Sequence, residues 1–176
     1  TDSYLLIEEA ENVNAKPRIV ALARKTNDEM LNHALHLTRD ALRQCGKTMR
    51  RAKVSVLGVS YRPNVKEARG SLVRELVNKL GKKCATVRVY DPLFSQKELE
   101  ELGYSAERTL TKTVEGVDCL LIAVGHGRFR RLNLRRIKFL VKKPAAIVDM
   151  GHVIDPLKAE REGFVYRGVG RGVWSR

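Results

Sequence analysis

The chain has 176 residues, is 43% hydrophobic, and carries 34 Lys and Arg against 20 Asp and Glu, a formal net charge of +14. That length buries a real core, enough for one domain or one domain with an appendage. Composition excludes low-complexity and fibrous classes, no apolar run approaches the roughly 20 residues of a membrane span, and the first ten residues hold acids where a secretory signal has a basic start.

Residues 3–12 read as a short helix, broken at Asn14-Ala-Lys-Pro17 before a longer one. In the second, Ile19, Ala23, Met30, Ala34, Thr38, Ala41 and Cys45 recur near helical spacing until Gly46, giving a helix of roughly 28 residues. A helix of that length usually links domains or packs against a partner. Arg50-Arg51-Ala52-Lys53 reads as a connector, so the expected division is a helical region over 1–49 and a second domain over 50–176. Beyond the connector, strands are expected at Val54–Gly58, Thr86–Tyr90, Asp118–Val124, Ala145–Asp149 and Phe164–Arg167. Between them come a helix with Leu72, Val73, Leu76, Val77 and Leu80 on one face, a capping box Ser95-Gln-Lys-Glu98, and a helix after Pro156. Short apolar strands alternating with helices predict an α/β fold, a Rossmann-like parallel sheet with flanking helices behind a long linker helix.

The first strand leads into a loop carrying Arg62, Lys66, Glu67 and Arg69. In open α/β sheets ligands sit at the carboxyl ends of strands, and guanidinium forks there suit phosphate or carboxylate. A solvated surface loop is the plain alternative. Arg128 to Lys143 holds eight basic residues and no acid, with Phe129 and Phe139 interleaved. This pattern fits a nucleic-acid binder; equally, Leu132, Leu134, Ile137, Leu140 and Val141 give it the apolar face of a helix with a charged outer side. Cys45, Cys84 and Cys119 are odd in number and lack C-x-x-C spacing, which argues against a metal site or a disulfide framework and makes the cytoplasm the expected compartment. None has surroundings that mark a nucleophile. Gly168-Val-Gly-Arg-Gly172 follows the last strand with too little chain for a helix, so it reads as a tail and not a dinucleotide fingerprint.

The segment Leu57-Gly58-Val-Ser-Tyr-Arg62-Pro63-Asn-Val-Lys-Glu-Ala-Arg69-Gly-Ser71, followed by Val87-Arg-Val89-Tyr90-Asp91-Pro92, resembles the C-terminal substrate-binding domain of the UDP-glucose/GDP-mannose dehydrogenase family. The family pattern is roughly L-G-hydrophobic-A-F-K-P-x-T-D-D-hydrophobic-R-E-S-P, then V-x-V-Y-D-P. This chain departs from it with Arg62 for the lysine, Lys66-Glu67 for the acidic pair, Gly70 for the glutamate and Leu72 for the second proline. The resemblance implies an NAD-dependent enzyme that oxidises a UDP-hexose or UDP-N-acetylhexosamine at C6 to the uronate used in polysaccharide biosynthesis. It further implies two hydride transfers, the second from an adduct on a catalytic cysteine.

Residue by residue, the resemblance places Arg62 on the UDP-sugar substrate and Arg69 against the NAD cofactor. Asp149-Met-Gly-His152 is similar to a segment whose basic residue meets substrate; Gly151 holds that place, and His152 is the substitute. Thr1-Asp-Ser-Tyr-Leu-Leu-Ile7 resembles the stretch just after the cysteine motif, which makes Asp2 the aspartate that helps the hydrolytic water. The cysteine would then lie four positions before the first residue. The chain, starting at Thr1, is expected to be a piece of a longer protein whose NAD-binding domain lies elsewhere, and to be inactive alone. Asn27 and Asp28 fall in a segment resembling the family's dimer-building helix, which implies a homodimer. His126 in Val124-Gly-His-Gly-Arg-Phe129 points weakly to N-acetylhexosamine substrates, with loop capping as its own role. A basic Rossmann-like module that binds nucleotide or nucleic acid without catalysis is the alternative reading.

Overall fold

Residues 2–171 are described by the structure, a computed structural model. Helix α1 (Asp2–Asn12) folds back on helix α2 (Arg18–Gln44) through a turn in which Asn14 takes a left-handed φ of 56°. The two halves of α2 differ. Its first half carries exposed Ile19 and Leu22, whereas Leu31, Ala34, Leu35, Thr38, Ala41 and Leu42 are buried. Those six recur every three or four residues, the stripe by which a helix packs on a sheet. The helix closes through Gly46 (φ 69°), with Gly46 N donating to Arg43 O and Lys47 N to Leu42 O, both at 2.9 Å. This paired bonding satisfies carbonyls that the helix end leaves open, and glycine accepts the left-handed backbone without a Cβ clash.

The remainder alternates strand and helix: β1 (Lys53–Leu57), α3 (Val73–Gly81), β2 (Thr86–Tyr90), α4 (Gln96–Glu101), α5 (Leu110–Val114), β3 (Cys119–Ile122), α6 (Leu134–Ile137), β4 (Ala145–Asp149), α7 (Pro156–Arg161) and β5 (Phe164–Gly168). All pairings are parallel, in the order β2-β1-β3-β4-β5. At the top of the sheet Leu57 pairs with Tyr90 on one side and Ile122 on the other. The chain moves outward from β1 to β2 and then returns past β1 to β3. The carboxyl ends of β1 and β3 therefore form the switch point where such sheets open a crevice. Both faces are covered: α2 and α3 pack with Val54, Val56 and Leu121 on one side, and Val114, Phe129, Leu134 and Ile137 pack with Leu120, Ile122 and Ile147 on the other. Burial on both faces is why the strands read as apolar runs without alternation.

The expected elements are present, with one correction. The basic run 128–143 is not a single helix. It forms a 3₁₀ turn (Gly127–Arg131) and the one-turn α6, separated by Leu132 in extended backbone and by Asn133, whose side chain accepts from Arg136 N at 2.9 Å. The turn-capping amide competes with helix continuation. The amphipathic part of the expectation holds, since Phe129, Leu134, Ile137 and Val141 are buried. Helix α5 had no sequence signal long enough to announce it. The expected division at residue 49/50 crosses a continuous core, because Leu31, Leu42 and Cys45 share one cluster with Val54 and Val56. Of the predicted glycine-rich tail, Gly172 lies outside the described residues, while Arg171 N turns back to Gly168 O at 3.3 Å.

Candidate functional site

Three loops leave the sheet around the switch point, after β1, β3 and β4, and small residues bring them together. A Cβ on Gly58 (φ 91°) would stand 2.7 Å from Cβ of Val124, and one on Gly125 would stand 2.5 Å from the carbonyl oxygen of Gly151. Only glycine permits backbone approach that close.

Asp91, at the end of β2 and fully buried, organises the β1 loop. One carboxylate oxygen, Oδ2, accepts from Val59 N (2.8 Å), Ser60 N (3.3 Å) and Ser60 Oγ (3.2 Å), and lies 3.1 Å from His126 Nε2. Its Oδ1 accepts from Leu93 N at 2.9 Å. The other ring nitrogen of His126, Nδ1, accepts from Asn64 N at 2.9 Å. These two contacts fix the tautomer: Nε2 carries the hydrogen and donates to Asp91, while Nδ1 offers its lone pair. Asn64, left-handed at φ 62°, answers with its own side chain, Oδ1 accepting from Gly127 N at 2.9 Å. His126 thus caps the loop as expected, and its 1% exposure sets it behind the surface.

The same loop is held at two further points. Tyr61 N donates to Glu67 O at 2.6 Å. Lys66 bonds Glu98 of the α4 capping box at 2.5 Å and lies 5.4 Å from the centroid of the Phe94 ring. With Lys66 and the Ser95 capping groups on it, the Glu98 carboxyl is pulled down to about 2. Arg62 projects from this anchored loop, exposed, with no hydrogen bond or ion pair to its guanidinium among the described residues. Arg69 differs: its side chain is 92% exposed and its fork closes on Glu67 of the same loop, at 2.9 Å from Nη2 to Oε2. That is the local ion pair, worth little at a surface.

The β4 loop is shaped by Asp149. Its Oδ1 accepts from Gly151 N at 3.0 Å, and its Oδ2 from Val153 N (2.9 Å), Ile154 N (2.8 Å) and the Tyr166 hydroxyl (3.3 Å). The turn leaves His152 outward and exposed at φ 51°. Arg62 and His152 therefore stand on two loops that both contact the β3 loop. Asp2 stands elsewhere, exposed on the first residue of α1. No hydrogen bond or ion pair among the described residues joins it to Arg62, Arg69 or His152. Asn64, which helps build the site, was not singled out from sequence; Asp91 was read as part of the Val-Tyr-Asp-Pro motif at a strand's end but given no role.

The three cysteines are unpaired and none is a ready nucleophile. Burial raises the thiols of Cys45 and Cys119, and pushes Cys84 up to about 11. No group of three or more His, Cys, Asp or Glu side chains among the described residues could hold a metal ion.

Comparison with known proteins defines the class. Residues 55–156, strands β1 to β4 with their rim loops, match the profile of the UDP-glucose/GDP-mannose dehydrogenase family, UDP binding domain. The chain belongs to that family. A UDP-N-acetyl-D-mannosamine dehydrogenase of Pyrococcus horikoshii is 29% identical over 97% of this chain and 37% of its own length. A UDP-glucose 6-dehydrogenase of Rhizobium meliloti is 27% identical over 97% of this chain and 38% of its own. Among solved structures, an NDP-N-acetyl-D-galactosaminuronic acid dehydrogenase from Methanosarcina mazei superposes with a TM-score of 0.85 at 29% identity, covering 97% of this chain and 37% of that one. The chain thus spans little more than a third of the length of the relatives it matches.

Proposed function

We propose that this chain is the nucleotide-sugar-binding part of an NAD-dependent 6-dehydrogenase that oxidises a UDP-hexose or UDP-N-acetylhexosamine to the uronate, a building block for polysaccharide, in the cytoplasm. The observation that carries this reading is Arg62: an unclaimed guanidinium on a loop fixed at three points, beside the sheet's switch point. In its role there it grips the diphosphate, the bidentate contact for which arginine is suited, and a loop already ordered loses little entropy on binding. His152, on the neighbouring loop, faces the sugar. The relatives named for N-acetylhexosamine substrates favour that subgroup, as His126 does in the sequence.

NAD, when bound, takes up the hydride leaving C6. The residues present fit a contact with it and not a cradle: β1 is followed by Gly58-Val-Ser-Tyr-Arg-Pro63, with no G-x-G-x-x-G, and α3 begins only at Val73. Arg69 would exchange its exposed bond to Glu67 for a cofactor phosphate held by another domain. Asp2 would serve the hydrolytic water once a catalytic cysteine stands beside it. With every thiol of this chain raised, the chain alone turns over no substrate. Residues 1–49 are the dimer-building helical region and 50–176 the sugar-binding domain, joined through the core that the second half of α2 shares with the sheet; the exposed apolar side chains of α1 and the first half of α2 form the homodimer contact.

Calorimetry tests the reading. UDP should bind the 176-residue chain, Arg62→Ala should weaken it by roughly tenfold or more, and Arg62→Lys should restore part of the loss. Absence of UDP binding, or binding indifferent to Arg62→Ala, would refute it.

A further inference from the structure

The cations of Arg128–Lys143 take no part in the reading above, and the fold gives three of them a common place. Because the run breaks at Leu132 and Asn133, the 3₁₀ turn and α6 meet at an angle, and Arg128, Arg131 and Arg136 line one cleft against α5. Its volume is about 430 Å³, within the roughly 300–1,000 Å³ of small-molecule sites. Half-buried Leu110, Leu132 and Leu140 add apolar surface to the cleft. The cleft lies on the sheet face away from α2 and α3, where Val114 and Ile137 join the second core cluster. It shares no lining residue with the rim loops that carry Arg62 and His152.

Lys47, Lys66, Lys79, Arg88, Lys112, Lys138 and Arg167 each have a carboxylate partner. Arg128, Arg131 and Arg136 have no ion pair and no side-chain hydrogen bond among the described residues. Like charges gathered on one cleft repel, and an anion placed between them removes that cost. Planar forks favour phosphate held through paired hydrogen bonds. A bare phosphate would leave these three leucines partly wet, whereas a ligand with an apolar body covers them.

We propose that the cleft between α5 and α6 is a second binding site, for an organic phosphate whose anionic end lies on Arg128, Arg131 and Arg136 and whose flat apolar body lies on Leu110, Leu132 and Leu140. Adenosine monophosphate is a suitable probe, since its base differs from that of the nucleotide assigned to the rim. At low ionic strength it should bind the 176-residue chain saturably below about 1 mM, and inorganic phosphate should bind at least roughly tenfold more weakly. The double variant Arg131→Gln/Arg136→Gln should weaken the nucleotide by roughly tenfold or more, and Arg62→Ala should leave it unchanged. All three side chains are exposed, so an unaltered thermal melt of the variant confirms that the core is intact. The proposal is overturned if the nucleotide fails to saturate, if the double variant binds as well as the parent, or if Arg62→Ala removes the binding and so returns it to the rim. It is equally overturned if only a polynucleotide responds, with a steep salt dependence and no effect of the mononucleotide. Failure here leaves UDP binding at Arg62 untouched, and the reverse also holds.

Discussion

A single carboxylate, Asp91, does much to hold the candidate site in shape. Burial alone would raise its pKa, yet hydrogen bonds from His126, Val59 and Leu93 outweigh that and hold it below the ordinary aspartate range. A depressed folded value means that its stabilisation is complete above the unfolded value of about 3.9 and is lost as pH falls through it toward the folded one. Asp91→Asn should therefore cost about 2 kcal/mol near neutral pH. It should also flatten the fall in stability between roughly pH 5 and 3. Urea titrations at stepped pH measure both, and an unchanged acid limb in the variant would count against the role given to Asp91. At this scale the sequence was partly legible. Arg62 could be singled out because it follows an apolar strand at the carboxyl end, where such sheets place ligands, and holds the place of the family's lysine. The Arg69–Glu67 pairing was visible only as a rival, since spacing alone cannot say which of two neighbours a flexible fork will choose. The reciprocal bonds between Asn64 and the His126 segment could not be read at all, because residues 62 positions apart meet only through the sheet's register.

Among the elements, the long ones were legible and the short ones were not. The strands announced themselves because burial on both faces leaves little but apolar residues in them, and α2 did so through many turns of one stripe. Helices α5 and α6 span five and four residues, little more than one helical period, so nothing repeats for a pattern to show. The basic run misled for a related reason: two short turns can bury the same leucines as one helix. The first half of α2 carries the dimer proposal. Ile19 is 85% exposed and Leu22 64%, and Leu5 and Leu6 of α1 are exposed as well; covering each such side chain contributes about 1.5–3 kcal/mol. Ile19→Asp with Leu22→Asp should convert a dimer to a monomer in sedimentation equilibrium while the thermal midpoint of the sheet stays put. A monomeric parent chain, or a variant that remains dimeric, would contradict the proposal.

For the molecule as a whole, the second half of α2 belongs with the sheet. Lys47, just past the helix, bonds Asp118 at 2.7 Å and the carbonyls of Lys142 and Pro144 at 2.5 Å, tying the helix end beneath β3 and β4. A chain trimmed to begin at Asn27 keeps all of this and should melt cooperatively. One trimmed to begin at Arg50 loses buried Leu31, Leu35 and Leu42, at about 1.5–3 kcal/mol each. It also leaves Asp118 buried without its cation, a further loss of about 3–5 kcal/mol. Together these approach or exceed the roughly 5–15 kcal/mol that holds an ordinary domain folded, so circular dichroism should find no cooperative transition. Two equally stable fragments would show that the helix is an accessory. The contact of Gly125 with Gly151 reaches further. With no side chain between them, the two strands' exits are cast as one mould that rotamer changes cannot re-form. On the proposed function, discrimination among hexoses would be written in the groups that decorate the mould, and retargeting to another sugar would mean exchanging those groups and leaving the casting alone.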